Sequence, residues 1–276
     1  MSFPKFSVIT PVHIHSQNRL YQLYRAIDSV KNQTYRIAGE QEELFEHIVV
    51  DEGSITPFEK LEFIQQDFPQ FKYKKIEEHL ERLNAYHEAF EMITKEWVVF
   101  CDSDDQLSPY ALELYSKVIS ENPEYKMFNF GCIYIHNDGR ITHRAPFTPS
   151  MLEVGHEVFG KGQIVNGTFI FHKSIYEELG GFPHGVITPE DQDGMEEIYG
   201  KKGELGMTSP WDFSCYAQLE FPELRQFCMV PTEESDRKVI QELGNPWGQD
   251  MYLFFKYTRK YHSLPLNLYL YYVFPK

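Results

Sequence analysis

"WVVFCDSDD", residues 97–105, runs from five apolar residues straight into three carboxylates, Asp102, Asp104 and Asp105. The short apolar run reads as a strand buried in a sheet. The carboxylates then crowd at its tip, where like charges repel and raise one another's pKa. Either water screens them or a cation neutralises them. Oxygen ligands at i and i+2 converge on a hard cation such as Mn²⁺ or Mg²⁺, which prefers carboxylates and also takes phosphate oxygens. The competing reading is a helix N-cap, because "DDQLSPYALELY" leads into a helix. One aspartate suffices for a cap, so three are better explained by a metal.

Working outward, residues 1–120 alternate between two periods. "FSVITPV" (6–12), "HIVV" (47–50), "FKYKKI" (71–76) and "WVVFC" (97–101) read as strands. Between them, Leu20, Leu23, Tyr24, Ile27 and Val30 recur at helical spacing behind Ser16, a potential N-cap. Phe58, Leu61, Phe63 and Ile64 suggest a second helix, and Leu83, Tyr86, His87, Phe90 and Ile93 a third. Such strand–helix repetition predicts an α/β fold with a Rossmann-like, mainly parallel central sheet flanked by helices. In open sheets of this kind, ligands bind beyond the carboxyl ends of the strands. The loops at three such ends are "PVH", "DEGS" and "DSDD".

Beyond residue 120 the pattern is less regular. "YIHNDGRITH" (134–143) reads as a hairpin with an Asp-Gly turn. "TFIFH" (168–172) reads as a strand and "KSIYEEL" (173–179) as a short helix stopped by Gly180-Gly181. The glycine, proline and charge of residues 183–210 predict a loop-rich region, and "GQDMYLFFKYTRKYH" (248–262) predicts a C-terminal helix. The aromatic "LYLYYVF" (268–274) suits a core or interface strand or helix, with an oligomer contact as one use of it. Two halves of one continuous domain are expected: residues 1–120 for a nucleotide ligand, and 121–276 for an acceptor and a C-terminal extension.

Composition narrows the partners. The 276 residues carry a net charge of −15, which opposes binding to nucleic acid or an anionic membrane surface. An acidic protein that handles phosphates needs a metal as go-between. No apolar stretch is long enough to span a bilayer, and "MSFPKFSVITPV" lacks the regions of a signal peptide. The four cysteines form no CxxC pair, and Cys101 reads as a buried thiol; a reducing, cytoplasmic setting is expected.

The remaining polar motifs are ambiguous one by one. Backbone from Pro11 to His13 could approach a flat ligand, and Arg19 could reach a phosphate; a plain loop with a surface arginine fits the spacing better. Asp51 in "VVDEGS" could accept hydrogen bonds from a base or ribose, with Gly53 permitting the turn, or could be an ordinary acidic turn. Glu190, Asp191 and Asp193 in "PEDQDG" could place a general base across a cleft, or form a solvated loop.

Taken together, "SVITPVH…NRLYQLYRAIDSVKNQTY", "HIVVDEGS", "EWVVFCDSDDQLSP" and "GGF…PEDQDG" occur in one order, and this order resembles an inverting family 2 glycosyltransferase of the GT-A fold over residues 4–200. The resemblance implies a nucleoside-diphosphate sugar donor, with a UDP-sugar as the default, a divalent metal (Mn²⁺ or Mg²⁺) and a glycan or other hydroxyl acceptor. It implies that Pro11, Val12, His13, Arg19, Asp51, Gly53 and Ser103 line the donor site, with Asp102 near ribose and metal and Asp104 the chief metal ligand. Asp191 would be the catalytic base, with Glu190 beside it, and Asp105 would serve as a helix cap. Two departures stand out. The family's Asp-Asp-Gly-Ser turn is Asp51-Glu52-Gly53-Ser54 here, tolerable where Glu52 faces solvent. The family's Arg-Asn pair aligns with Tyr86-His87, with Arg82 one turn earlier as a substitute. A nucleotidyltransferase is the rival enzyme, though its Gly-rich basic loop is missing from "PVHIHSQNR"; a non-catalytic sugar-nucleotide binder is the other. Trp211 and Trp247 could stack on sugar rings or fill the core.

Overall fold

The computed structural model describes residues 3–36, 44–77, 82–144, 146, 166–178 and 264–274. The first half alternates as its periodicity predicts: β1 (Phe6–Val12), α1 (Gln17–Lys31), β2 (Phe45–Glu52), α2 (Leu61–Asp67), β3 (Phe71–Ile76), α3 (Arg82–Met92) and β4 (Trp97–Phe100). There follow β5 (Gln106–Leu107), α4 (Ala111–Glu121), the hairpin β6 (Met127–Ile135) and β7 (Ile141–Arg144), β8 (Phe169–His172), α5 (Ser174–Glu178) and β9 (Leu264–Val273). The C-terminal helix expected over 248–262 lies outside the described residues.

These strands form one sheet in the order β3-β2-β1-β4-β8-β6-β9-β5, with β7 added beside β6. The half β3-β2-β1-β4 is wholly parallel. β8 then runs antiparallel to both β4 and β6, β9 is parallel to β6, and β5 is antiparallel to β9. Every residue of β1, β2 and β4 is buried; β4 is wholly apolar, whereas β1 also buries Ser7 and Thr10, and β2 buries Glu46, His47, Asp51 and Glu52 around its apolar centre. Pro11 is accommodated within β1 because its nitrogen points, like Ile9, toward β4, which has already ended.

α1 closes one face. Leu20, Leu23, Ala26, Ile27 and Val30 are buried, and burying each large side chain contributes roughly 1.5–3 kcal/mol. Ser16 caps α1 by accepting from the Arg19 amide at 3.3 Å. α2 departs from expectation: Phe63 is 66% exposed, and the helix buries no residue fully. Phe58 precedes that helix and does the packing instead, stacked on Tyr73 and Tyr24.

The aromatic C-terminal run is a core strand. β9 lies between β6 and β5, with Leu270 and Tyr271 buried. The Asp-Gly hairpin forms as read, with Gly139 at φ 80°. No helix among the described residues is long and apolar enough to cross a membrane.

Candidate active site

The strand order creates one distinctive edge. From β1 the chain moves outward to β2 and β3, then returns to β4 on the other side of β1. The crevice beyond the carboxyl ends of β1 and β4 is therefore a topological switch point, where open α/β sheets bind ligands. The acidic turn opens onto it.

That turn is tight, with the Asp105 amide donating to the Asp102 carbonyl at 3.0 Å. Asp102 is half-buried, while Asp104 and Asp105 are buried. One oxygen from each of the three carboxylates lies within 4.8 Å of the others. Burial, followed by the charges of Asp102 and Asp104, pushes the Asp105 carboxyl up to about 8; the Phe274 amide and Tyr271 hydroxyl counteract this in part. The donor set, all hard oxygens at close range under mutual repulsion, fits a divalent cation such as Mg²⁺ or Mn²⁺. The helix-cap reading of Asp105 fails. The N-cap of α4 is Tyr110, with no side-chain cap, and Asp105 instead accepts from the Phe274 amide at 3.1 Å.

Arg19 is not a surface arginine. Its Nη1 donates to Asp104 Oδ2 at 2.8 Å and to Gln22 Oε1 at 3.0 Å, and its Nη2 donates to Ser103 Oγ at 3.1 Å. The first turn of α1 thus sets a guanidinium against the motif, joining Arg19, Ser103 and Asp104 into one cluster.

The other wall is the end of β2. Asp51 is buried; its Oδ1 accepts from the Ser54 amide at 3.2 Å, and its Oδ2 accepts from the Tyr73 hydroxyl. Gly53 adopts φ 60°, the left-handed region that favours glycine, so the chain can turn here. Ser54 Oγ accepts from the Ile14 amide, and the Ile55 and Thr56 amides both donate to the Ile14 carbonyl, which clasps this turn to the loop after β1. Pro11 and Val12 end β1 and are buried, and His13 Nδ1 lies 2.7 Å from the Glu52 carbonyl. Glu52 does not face solvent: it is buried as the last residue of β2, so the longer side chain is accommodated inside.

The α3 substitution has a packing explanation. Tyr86 is buried, its ring 4.9 Å from that of Phe100, so it belongs to the core. His87 Nδ1 lies 2.9 Å from the Tyr176 hydroxyl on α5. Arg82 is the first residue of α3, and its side chain is outside the described residues. Glu190, Asp191, Asp193, Trp211 and Trp247 also lie outside them.

Two residues of this neighbourhood were missed by sequence reasoning. Tyr73 alternates in β3 like any strand aromatic, and Tyr271 sits in the apolar C-terminal run. Each places its hydroxyl on a site aspartate, but only pairing across the sheet reveals it.

A parallel half-sheet with carboxylates and a facing guanidinium at its switch point defines an α/β protein built to hold a ligand at that edge. Residues 7–180 match Glycosyl transferase family 2, and the chain belongs to that family. It is accordingly a glycosyltransferase with the GT-A fold. No curated protein matches the sequence. Among solved structures, S. aureus TarS 1-349 is 18% identical with a TM-score of 0.49, over 92% of this chain and 72% of that one. The same TarS fragment in complex with UDP is 19% identical with a TM-score of 0.49, over 86% and 69%. Its complex with UDP-GlcNAc is 17% identical with a TM-score of 0.46, over 94% and 73%.

Proposed function

We propose that this protein is an inverting, metal-dependent glycosyltransferase that moves a sugar from a nucleoside-diphosphate donor to an acceptor hydroxyl. The observation that carries this reading is the cluster of Asp102, Asp104 and Asp105 at the β1/β4 switch point, faced by Arg19. Asp104 and Asp102 would hold Mn²⁺ or Mg²⁺. Bound there, the ion supplies Lewis-acid neutralisation of charge on the leaving diphosphate. Arg19 adds a second positive group for the same anion. Asp51, Gly53, His13 and the end of β1 receive the base and ribose, with uridine the first base to try, and Ser103 and His87 border the donor.

Asp191, with Glu190 beside it, is the proposed base. It removes the proton from the acceptor hydroxyl as that oxygen bonds to the anomeric carbon. The carbon–oxygen bond to the diphosphate breaks on the opposite face, so an α-linked donor gives a β-linked product and nucleoside diphosphate is released. Residues 1–120 hold the donor, and residues 121–276 provide the acceptor side.

The test is a thermal-shift screen of nucleotide-sugars with and without Mn²⁺, followed by product analysis. Released nucleoside diphosphate supports glycosyl transfer, whereas pyrophosphate would identify a nucleotidyltransferase. Asp104→Ala should abolish metal-dependent donor binding; unchanged affinity rejects the metal role. Asp191→Asn should stop transfer while keeping donor binding, and full activity in that variant rejects it as base.

A further inference from the structure

The acidic turn is held from behind by the far end of the chain. Tyr271, 169 positions after Asp102, is completely buried on β9. Its hydroxyl accepts from the Asp102 amide at 2.9 Å. The same hydroxyl hydrogen-bonds the Asp105 carboxylate. Three residues further on, the Phe274 amide donates to Asp105 Oδ1 at 3.1 Å. β5, which leaves the acidic turn, pairs with β9 at Gln106↔Tyr272 and Leu107↔Tyr271, and the Ser108 amide donates to the Leu270 carbonyl at 2.8 Å.

A fourth element keeps the ring in place. Gly167, in the short 3₁₀ turn Asn166–Thr168 before β8, packs against it. A Cβ built on Gly167 would come within 1.7 Å of Tyr271 Cε2 and 2.1 Å of Cζ, so no other residue fits without moving the phenol. The family match ends at residue 180, well before Tyr271. The turn that carries the proposed metal ligands therefore depends on a strand beyond the matched region.

We infer that Tyr271 is a positioning residue for the donor site: its hydroxyl fixes the Asp102 backbone and the Asp105 carboxylate so that the acidic turn presents its oxygens to a divalent cation, and Gly167 provides the room the ring needs. This rests on the metal reading above. The hydroxyl touches neither donor nor acceptor; it acts through the two aspartates. Removing it leaves an amide and a carboxylate oxygen without that partner in a buried place, and both relax by shifting the turn. Partners one shell out from a metal ligand typically govern affinity by 10–100-fold.

Tyr271→Phe tests this, because it keeps the ring and its packing. Tyr115→Phe is the control: Tyr115 is equally buried, and its hydroxyl has no hydrogen-bond partner among the described residues. Mn²⁺ is titrated into each folded protein with saturating UDP, and free Mn²⁺ is followed by electron paramagnetic resonance. Tyr271→Phe is expected to weaken Mn²⁺ binding roughly 10-fold while its melting temperature stays near wild type. Tyr115→Phe should leave the affinity unchanged. Folded Gly167→Ala should weaken it at least as much as Tyr271→Phe. Wild-type Mn²⁺ affinity in Tyr271→Phe overturns the positioning role alone, leaving the metal reading intact. A wild-type protein that binds no Mn²⁺ overturns the metal reading, and this inference with it.

Discussion

Arg19 Nη1 lies 2.8 Å from Asp104 Oδ2, an ion pair that joins α1 to the turn after β4. The carboxylate is almost entirely buried and the guanidinium about a quarter exposed. The pair thus puts an internal cation on the residue assigned to a metal. Arg19 has two opposite effects there: its charge opposes a second cation on Asp104 and favours an anion beside it.

Arg19→Ala separates those effects. Without the guanidinium, Mn²⁺ alone should bind at least several-fold more tightly, since even water-like screening leaves about 1 kcal/mol of repulsion between unit charges at contact range, roughly 5-fold. UDP should bind more weakly over the same range. Isothermal titration with each ligand separately checks both. Weaker binding of both would mean that Arg19 merely supports the turn. Arg19→Lys should keep the charge but lose the fork that spans Ser103 and Asp104, and restore UDP binding only in part.

Asp51 and Tyr73 make a second contact whose consequence is measurable. Burial, then the hydrogen bond and charge of Asp51, hold the Tyr73 phenol far above the usual tyrosine range, so it remains a donor throughout the accessible pH range. The phenol fixes one oxygen of Asp51 while the Ser54 amide fixes the other. A carboxylate has lone pairs left for a base N–H or a ribose hydroxyl. Tyr73→Phe should therefore weaken UDP binding about 3- to 10-fold, the value of about 1 kcal/mol for one lost orienting hydrogen bond. Fluorescence titration is the measurement, and unchanged affinity would remove Asp51 from the nucleotide site.

Glu46 is the stability counterpart, at the opposite end of β2 from Asp51. Its carboxylate accepts from Ser7 Oγ at 2.7 Å, the Thr94 amide at 2.6 Å and Thr94 Oγ1 at 2.9 Å, and pairs with Lys72 at 2.7 Å. Burial pushes its pKa up, but Lys72, Ser7 and Thr94 outweigh that and leave it lowered. Lys72 is about one-third exposed, so the pair's charge term is discounted for screening. Glu46→Ala still removes the acceptor of the buried Ser7 hydroxyl and of two part-buried Thr94 donors, and should cost roughly 1–3 kcal/mol in urea denaturation. Donor KM should be unchanged in the folded fraction, because nothing in this network reaches the active edge.

The sequence exposed some of this and hid the rest for physical reasons. β1, β4 and the Ile48–Val50 centre of β2 were legible because strands buried on both faces are predominantly apolar. Ser16 and Asp138-Gly139 were legible because caps and tight turns demand particular residue types. The acidic turn showed itself through charge density. Arg19 reads as a surface residue because helical spacing says nothing of what a long side chain reaches across a crevice. Tyr271 looked like one aromatic in an apolar run, since a hydroxyl's partner depends on sheet pairing 169 positions away. Phe63 misled because it continued an apolar pattern on a helix that buries no side chain fully.

His47 governs the acid limb of stability. Thr10 donates its hydroxyl hydrogen to the Cys101 carbonyl at 2.7 Å, so Thr10 Oγ1 can only accept from His47 Nε2 at 2.8 Å. The proton of the neutral ring is thereby assigned to Nε2, and Nδ1 is buried with no hydrogen-bond partner among the described residues. Burial alone lowers the His47 pKa from 6.5 to about 3. The sign follows directly. The folded ring stays neutral while the unfolded ring takes up a proton below pH 6.5, so the stabilisation is complete above that pH. It is lost progressively as pH falls from 6.5 toward about 3. At pH 5 the loss relative to pH 8 is roughly 2 kcal/mol. His47→Gln retains an amide donor for Thr10 but cannot titrate. Asp105, held up to about 8 in the fold, adds stability as pH falls in both proteins, so His47 shows in the difference: relative to His47→Gln, the wild type should lose roughly 2 kcal/mol between pH 8 and 5. Below about pH 4.5 Glu46 takes up its proton in both, and the wild type continues to lose ground on His47→Gln until about pH 3. Urea denaturation at half-unit pH steps distinguishes the curves, and parallel curves through pH 5–6.5 would assign the acid sensitivity to another group.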